Sequence, residues 1–211
     1  MIIGCINCYN DAGLIENCVE SIAPHVDLIV CIDGRYEDFE QMNGSDISTD
    51  GTLEYLERRN DTKIIIWPNV SEVHKRNCYL VGQYPADWYV HLDGDEEWVG
   101  PLVIPQADMG IVPVARSDFA GRTYNPLVTD RIRVFRHVPD LHYARKHYWL
   151  FDGEERTFAT LQKPGRCYTA ERLDAKIIHH EDKRDAYRNA AKAHYYRDVL
   201  TPRESKIREV D

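Results

Sequence analysis

Apolar and polar positions along the first hundred residues fall into short blocks whose lengths suit strands and helices in turn. Ile2 to Cys8 is a short apolar run, as in a strand buried on both faces. Tyr9-Asn10-Asp11 ends it, and Asn10 or Asp11 could cap a following helix. Leu14, Ile15, Cys18, Val19 and Ile22 then keep helical spacing until Pro24. Val26 to Ile32 is a second apolar run, closed by Asp33-Gly34. Strand, helix and strand in this order predict a βαβ unit with parallel pairing and a right-handed crossover.

Arg35 to Ile47 is polar and irregular and reads as a loop. Ser48-Thr49-Asp50-Gly51-Thr52 offers a helix start, with Leu53 and Leu56 on one face. Lys63 to Trp67 is a third strand, closed by Pro68. Ser71 opens another helix on which Val73, Asn77, Leu80 and Val81 share a side, and Pro85 ends it. Trp88 to Leu92 is the fourth strand. The alternation predicts an open α/β sheet.

Past Gly100 the texture changes. Met109 to Val114 is an apolar strand, and Arg131 to Arg136 alternates basic and apolar residues like a half-exposed one. Leu141 to Tyr143 and Lys176 to His180 are two more short strands, and Asp182 to Leu200 reads as a closing helix. With no repeat and no low-complexity linker, residues 1–211 are expected to form one domain. Residues 1–100 make its binding half and residues 101–211 a more irregular, basic half.

Composition narrows the class. The 211 residues are 43% hydrophobic and 29% charged, enough for one good core. No apolar run approaches the roughly 20 residues that span a bilayer, and the first residues lack signal-peptide features. Most of the six cysteines sit inside apolar stretches. Reduced thiols in a cytoplasmic protein without an integral membrane segment are therefore expected. Cys5-x-x-Cys8 lacks a second pair, so zinc is disfavoured. A net charge of −9 argues against indiscriminate binding to nucleic acid. Between Gly110 and Leu150, however, seven basic residues meet three acidic ones. Such a region could face a phosphate-bearing partner.

The chemistry gathers where strands end. Tyr9-Asn10, Asp33-Gly34 and Asp93-Gly94-Asp95 all follow predicted parallel strands, so they should meet at one edge of the sheet. Asp93, Asp95, Glu96 and Glu97 put four carboxylates in five positions. That crowding calls for a cation, and hard ions such as Mg²⁺ or Mn²⁺ prefer carboxylate oxygens. Neither Gly-x-Gly-x-x-Gly nor a phosphate-binding Gly-x-x-x-x-Gly-Lys-Ser/Thr loop is present, which disfavours a dinucleotide or P-loop protein.

Five pieces occur in an order that carries a resemblance: Ile3 to Asp11, Leu28 to Gly34, Ser48 to Thr52, Lys75-Arg76-Asn77 and His91 to Glu96. The chain resembles family 2 glycosyltransferases of the GT-A fold over roughly its first hundred residues. The resemblance implies an open, mostly parallel GT-A-like sheet with helices on both faces. It also implies a metal-dependent, inverting transfer of a sugar from a nucleotide diphosphate, usually uridine diphosphate, to a hydroxyl acceptor.

By position it places Tyr9, Asn10 and Asp33 at the nucleoside, with Asp33 accepting from the base, and Arg76 beside the nucleotide. Asp93 and Asp95 match the Asp-x-Asp motif. Asp95 would ligate the metal, and Asp93 the ribose or a metal-bound water. Gly94 would let the backbone approach the sugar, and His179 (His180 next) would complete the metal site. The acceptor-side His-Glu pair is replaced by His147-Tyr148, so the base is open among Asp152, Glu154, Glu155, Asp130 and Glu96, with Asp152, Glu154 and Glu155 preferred. The acceptor could be a phosphate-bearing glycan or modified nucleic acid. Two other classes stay in view: a sugar nucleotidyltransferase, and a non-catalytic domain binding nucleotide or glycan.

Overall fold

The computed structural model describes residues 1–37, 39–80, 84–117, 123–144, 150–153, 168–180, 190 and 194. Three parallel strands open the fold: β1 (Ile2–Cys8), β2 (Leu28–Asp33) and β3 (Thr62–Ile66). β4 (Trp88–Asp93) joins them in parallel on the other side of β1, giving the local order β3-β2-β1-β4. The crossovers carry α1 (Ile15–Ile22), α2 (Thr52–Glu57) and α3 (Glu72–Cys78).

Alternation along the strands sorts the helices. Ile6 and Cys8 of β1 pack with Ile15, Cys18, Val19 and Ile22 of α1 and Leu56 of α2. Ile3 and Cys5 face the other way, with Cys78 at the end of α3 and Tyr79 just beyond it. Both faces are thus covered, as continuous apolar strands require. Ser71 caps α3, accepting a hydrogen bond from the His74 N–H. α1 is different: its cap position is Leu14, and no side chain caps it. Asp11 instead uses its backbone carbonyl on the Leu14 and Ile15 N–H groups.

The second half extends the same sheet. β6 (Met109–Ser117) and β7 (Thr123–Arg136) form a long antiparallel pair, and β7 lies antiparallel against β4. β11 (Lys176–His179) runs parallel to β6 and antiparallel to β5 (Glu96–Val99), while β10 (Ala170–Arg172) pairs with the start of β6. The result is a nine-stranded, mostly parallel sheet. β8 (His142–Tyr143) and β9 (Leu150–Phe151) form a separate hairpin.

Two sequence expectations change here. β7 is an internal strand rather than a half-exposed one, and Arg133 on it is buried. β5 has no counterpart in the apolar pattern. The expected closing helix, Asp182 to Leu200, lies outside the described residues except for Ala190 and His194, both helical. No helix among the described residues is long and apolar enough to cross a membrane.

Candidate functional site

The order β2-β1-β4 brings the carboxyl ends of three parallel strands side by side, with Cys8 level with Asp33 and Asn7 level with Asp93. The sheet edge expected from the sequence therefore exists. Asp33 is fully buried; its carboxylate accepts from the Ser48 N–H at 3.0 Å and from the Ser48 hydroxyl. Burial pushes its carboxyl up, partly offset by those Ser48 hydrogen bonds. Asn10 stands at φ 50° in left-handed backbone, and its side-chain oxygen accepts from the Thr49 N–H at 2.9 Å. Tyr9 turns its hydroxyl onto the Ser45 carbonyl at 2.6 Å and receives the Met42 N–H at 2.8 Å. Tyr9, Asn10 and Asp33 thus fasten the 36–52 segment to the strand ends.

The acidic turn after β4 is held from three directions. Gly94 donates its N–H to the Asn7 carbonyl at 2.9 Å. A Cβ at Gly94 would lie 2.7 Å from Asp11 Oδ2, so only glycine allows the turn to settle on that carboxylate. The Asp93 N–H donates to Glu96 Oε2 at 2.9 Å. The Asp93 carboxylate takes a hydrogen bond from Arg76 Nη2 at 3.1 Å. Burial alone would raise that carboxyl, but the charge of Arg76, with His91 and Arg133, holds it well below the usual range.

Beneath the turn lies a buried ionic web. Arg76 of α3 grips Glu72 at 2.8–3.0 Å, and Arg133 of β7 grips Glu96 at 2.5 Å. Both guanidiniums meet the His91 ring, Arg133 at Nδ1 (2.8 Å) and Arg76 at both ring nitrogens. Desolvation raises the Glu96 carboxyl despite Arg133. Lys75 is buried as well, and its ammonium ties the Cys8 and Gly34 carbonyls together at 2.9 and 2.5 Å. From sequence, Lys75, His91 and Arg133 had no site role, and Asp11 only that of a possible helix cap. Asp11, Lys75 and His91 sit inside the quoted motifs, but nothing in their spacing marked them for the site.

The late histidines arrive on β11. His179 Nε2 lies 2.6 Å from Asp95 Oδ2, and His180 Nε2 lies 2.8 Å from Glu97 Oε2. The two rings take different carboxylates, as alternation along a strand requires. Asp95 is buried, and its carbonyl accepts the His180 N–H.

The donor chemistry here suits a hard divalent cation. Four carboxylates (Glu72, Asp93, Asp95, Glu96) meet two guanidiniums (Arg76, Arg133), leaving an acidic excess. Asp95 and His179, in contact at 2.6 Å, are the two residues that could hold one. Asp93 is turned toward Arg76, and among the described residues no three potential ligands form a ready-made cluster.

Asp152 follows β9, buried, and accepts from the Tyr168 hydroxyl. Its hairpin docks on α3 through Asn77, whose amide exchanges two hydrogen bonds with the Tyr143 backbone at 2.9 and 2.6 Å. Glu154, Glu155, Arg145, Lys146 and His147 lie outside the described residues. Of the basic stretch, Arg133 is used internally and Arg136 pairs with Asp108 at 2.7 Å.

With this geometry in place, similarity to solved structures becomes informative. The crystal structure of S. aureus TarS residues 1–349 in complex with UDP-GlcNAc superimposes with a TM-score of 0.54 at 14% identity, over 90% of this chain and 60% of that one. The fold is GT-A-like. A second S. aureus TarS crystal structure gives a TM-score of 0.53 at 14% identity, over 98% of this chain and 42% of that one. The chain therefore spans 60% and 42% of these two TarS chains. No family model matches the sequence, and no curated protein does. At this identity the likeness shows the fold.

Proposed function

We propose that this protein is a metal-dependent, inverting glycosyltransferase that moves a sugar from a nucleotide diphosphate, most naturally uridine diphosphate, to a hydroxyl acceptor. The observation that carries this reading is the meeting of Asp95 with His179 at the sheet edge where β1, β2 and β4 also deliver Asp33 and Asp93. The GT-A-like fold, shared with a TarS structure containing UDP-GlcNAc, supports the choice of donor.

In this reading Asp95 and His179 would hold Mn²⁺ or Mg²⁺, which as a Lewis acid would offset charge developing on the departing diphosphate. Asp93 orients the ribose or a metal-bound water, and Arg76 acts through Asp93 by fixing its carboxylate. Gly94 keeps the turn flat against Asp11, so backbone rather than side chain faces the sugar. Tyr9, Asn10 and Asp33 shape the nucleoside end. A carboxylate on the far face of the sugar takes the acceptor proton, and we assign it to the group Asp152, Glu154 and Glu155. The acceptor is a glycan or another hydroxyl compound, phosphate-bearing if the basic stretch contacts it.

A panel of nucleotide sugars incubated with and without Mn²⁺ tests the reading. Slow, Mn²⁺-dependent release of one nucleoside diphosphate is the expected result. Release of pyrophosphate from a nucleoside triphosphate and a sugar phosphate would instead identify a nucleotidyltransferase. Binding without turnover would identify a non-catalytic domain.

A further inference from the structure

One side chain at the sheet edge has no role in the web around it. Asn7 is the penultimate residue of β1 and only 4% exposed, yet neither its amide nitrogen nor its amide oxygen has a hydrogen-bond partner. Its backbone carbonyl is used by Gly94. The preceding positions on the same strand face are Ile3 and Cys5, both apolar. An apolar residue at position 7 would continue that face without stranding polar atoms, which are costly to bury unpaired.

The register says what the amide stands beside. Asn7 is level with Asp93 in the parallel β1–β4 pair, and residues level with each other share a sheet face. The Asp93 side chain is 27% exposed, so a ligand that reaches that carboxylate comes next to the amide. A carboxylate only accepts hydrogen bonds, whereas an amide both donates and accepts. Side by side, the two match a pair of neighbouring hydroxyls, each of which donates one proton and offers lone pairs.

We propose that Asn7 is a binding residue for the vicinal diol of the donor's ribose, with its amide bonding the 2′-hydroxyl while Asp93 takes the 3′-hydroxyl. This rests on the nucleotide-sugar reading above. It gives β1 a base-independent role that selects ribonucleotide over deoxyribonucleotide. The unpaired amide is then the counterpart of a hydrogen bond made on binding.

The test measures calorimetric binding of uridine and guanosine diphosphates and their 2′-deoxy forms, with Mn²⁺, to the full chain and to Asn7→Leu and Asn7→Ala. The unsubstituted protein is expected to prefer the ribose form of the diphosphate it binds by about tenfold, the equivalent of one good hydrogen bond. Both variants should lose most of that preference, bind the deoxy form as before, and melt no lower than the parent. Equal loss of ribose and deoxy binding, an unchanged preference in the variants, or no preference in the parent would overturn the assignment. If the parent binds neither diphosphate, the donor reading itself fails and the role of Asn7 falls with it. Should Asn7→Leu prove insoluble, the ribose-to-deoxy ratio of Asn7→Ala decides alone.

Discussion

Asp95 and His179 stand 84 positions apart in the chain and 2.6 Å apart in space. This contact fixes the acidic turn after β4 to the last described strand, and each partner reaches a geometry the other sets. Asp95→Ala is expected to abolish Mn²⁺- or Mg²⁺-dependent nucleotide binding while costing about 1–3 kcal/mol of stability, the usual penalty for one lost partner at a buried polar site. Calorimetric titration and urea unfolding measure the two effects. Metal-dependent binding that survives unchanged would falsify the metal assignment.

Gly94→Ala should destabilise the fold by about 1–3 kcal/mol, because its new methyl would fall 2.7 Å from Asp11 Oδ2. The closest clash is with Asp11, ahead of the Asn7 carbonyl at 3.3 Å, so Asp11→Ala combined with Gly94→Ala should be less destabilising than the two single losses summed. Chemical denaturation of the four proteins decides it; simple additivity would mean that the turn relaxes elsewhere.

Arg133 and Glu96 form an enclosed ion pair of the web, with side chains 4% and 2% exposed. Removing Arg133 alone, as Arg133→Met, should cost about 3–5 kcal/mol by leaving Glu96 buried without its counter-charge. Replacing both, as Arg133→Met with Glu96→Leu, should recover much of that loss. Thermal unfolding of the single and double variants gives the answer, and a double variant as unstable as the single one would show that Glu96 is held by other groups.

The loop from Arg35 to Ile47 should loosen in acid. Arg35 first, with Gln41 and Asn69, hydrogen-bonds the Asp46 carboxylate and lowers its carboxyl from 3.8 to about 2. A carboxyl lowered on folding contributes stability above its unfolded value and loses it as pH falls. The contribution is therefore complete above about pH 4 and disappears toward pH 2. Amide exchange at Arg35 and Asn69 should quicken across that window in the parent and be fast throughout in Asp46→Asn. Exchange in the parent that ignores pH would remove Asp46 as the clasp.

Much of the front half could be read from sequence because its strands are short apolar blocks, each followed within a few residues by Asp, Asn or Pro. That is why β1, β2 and β4 and the Asp33 and Asp93–Asp95 positions were legible. β5 was hidden for a physical reason. Its buried face carries Glu96 beside Trp98, and a buried Glu reads as solvent-exposed until Arg133 is known to lie against it. Arg133 misled in the complementary way, since alternating arginines look like a wet strand face. Asn7 vanished inside an apolar run. Charges that cancel across long separations, and an amide among aliphatic residues, leave no local periodicity to detect.

The placement of β11 between β6 and β5 also orders events during synthesis. The ribosome releases Asp95 long before His179, so for an interval the growing chain has β5 and β6 without the strand that joins them. Both then expose unpaired backbone edges, the kind that recruit strands from other chains. Closing the sheet and bringing His179 to Asp95 are the same step, and a nascent chain is most prone to misassembly just before it.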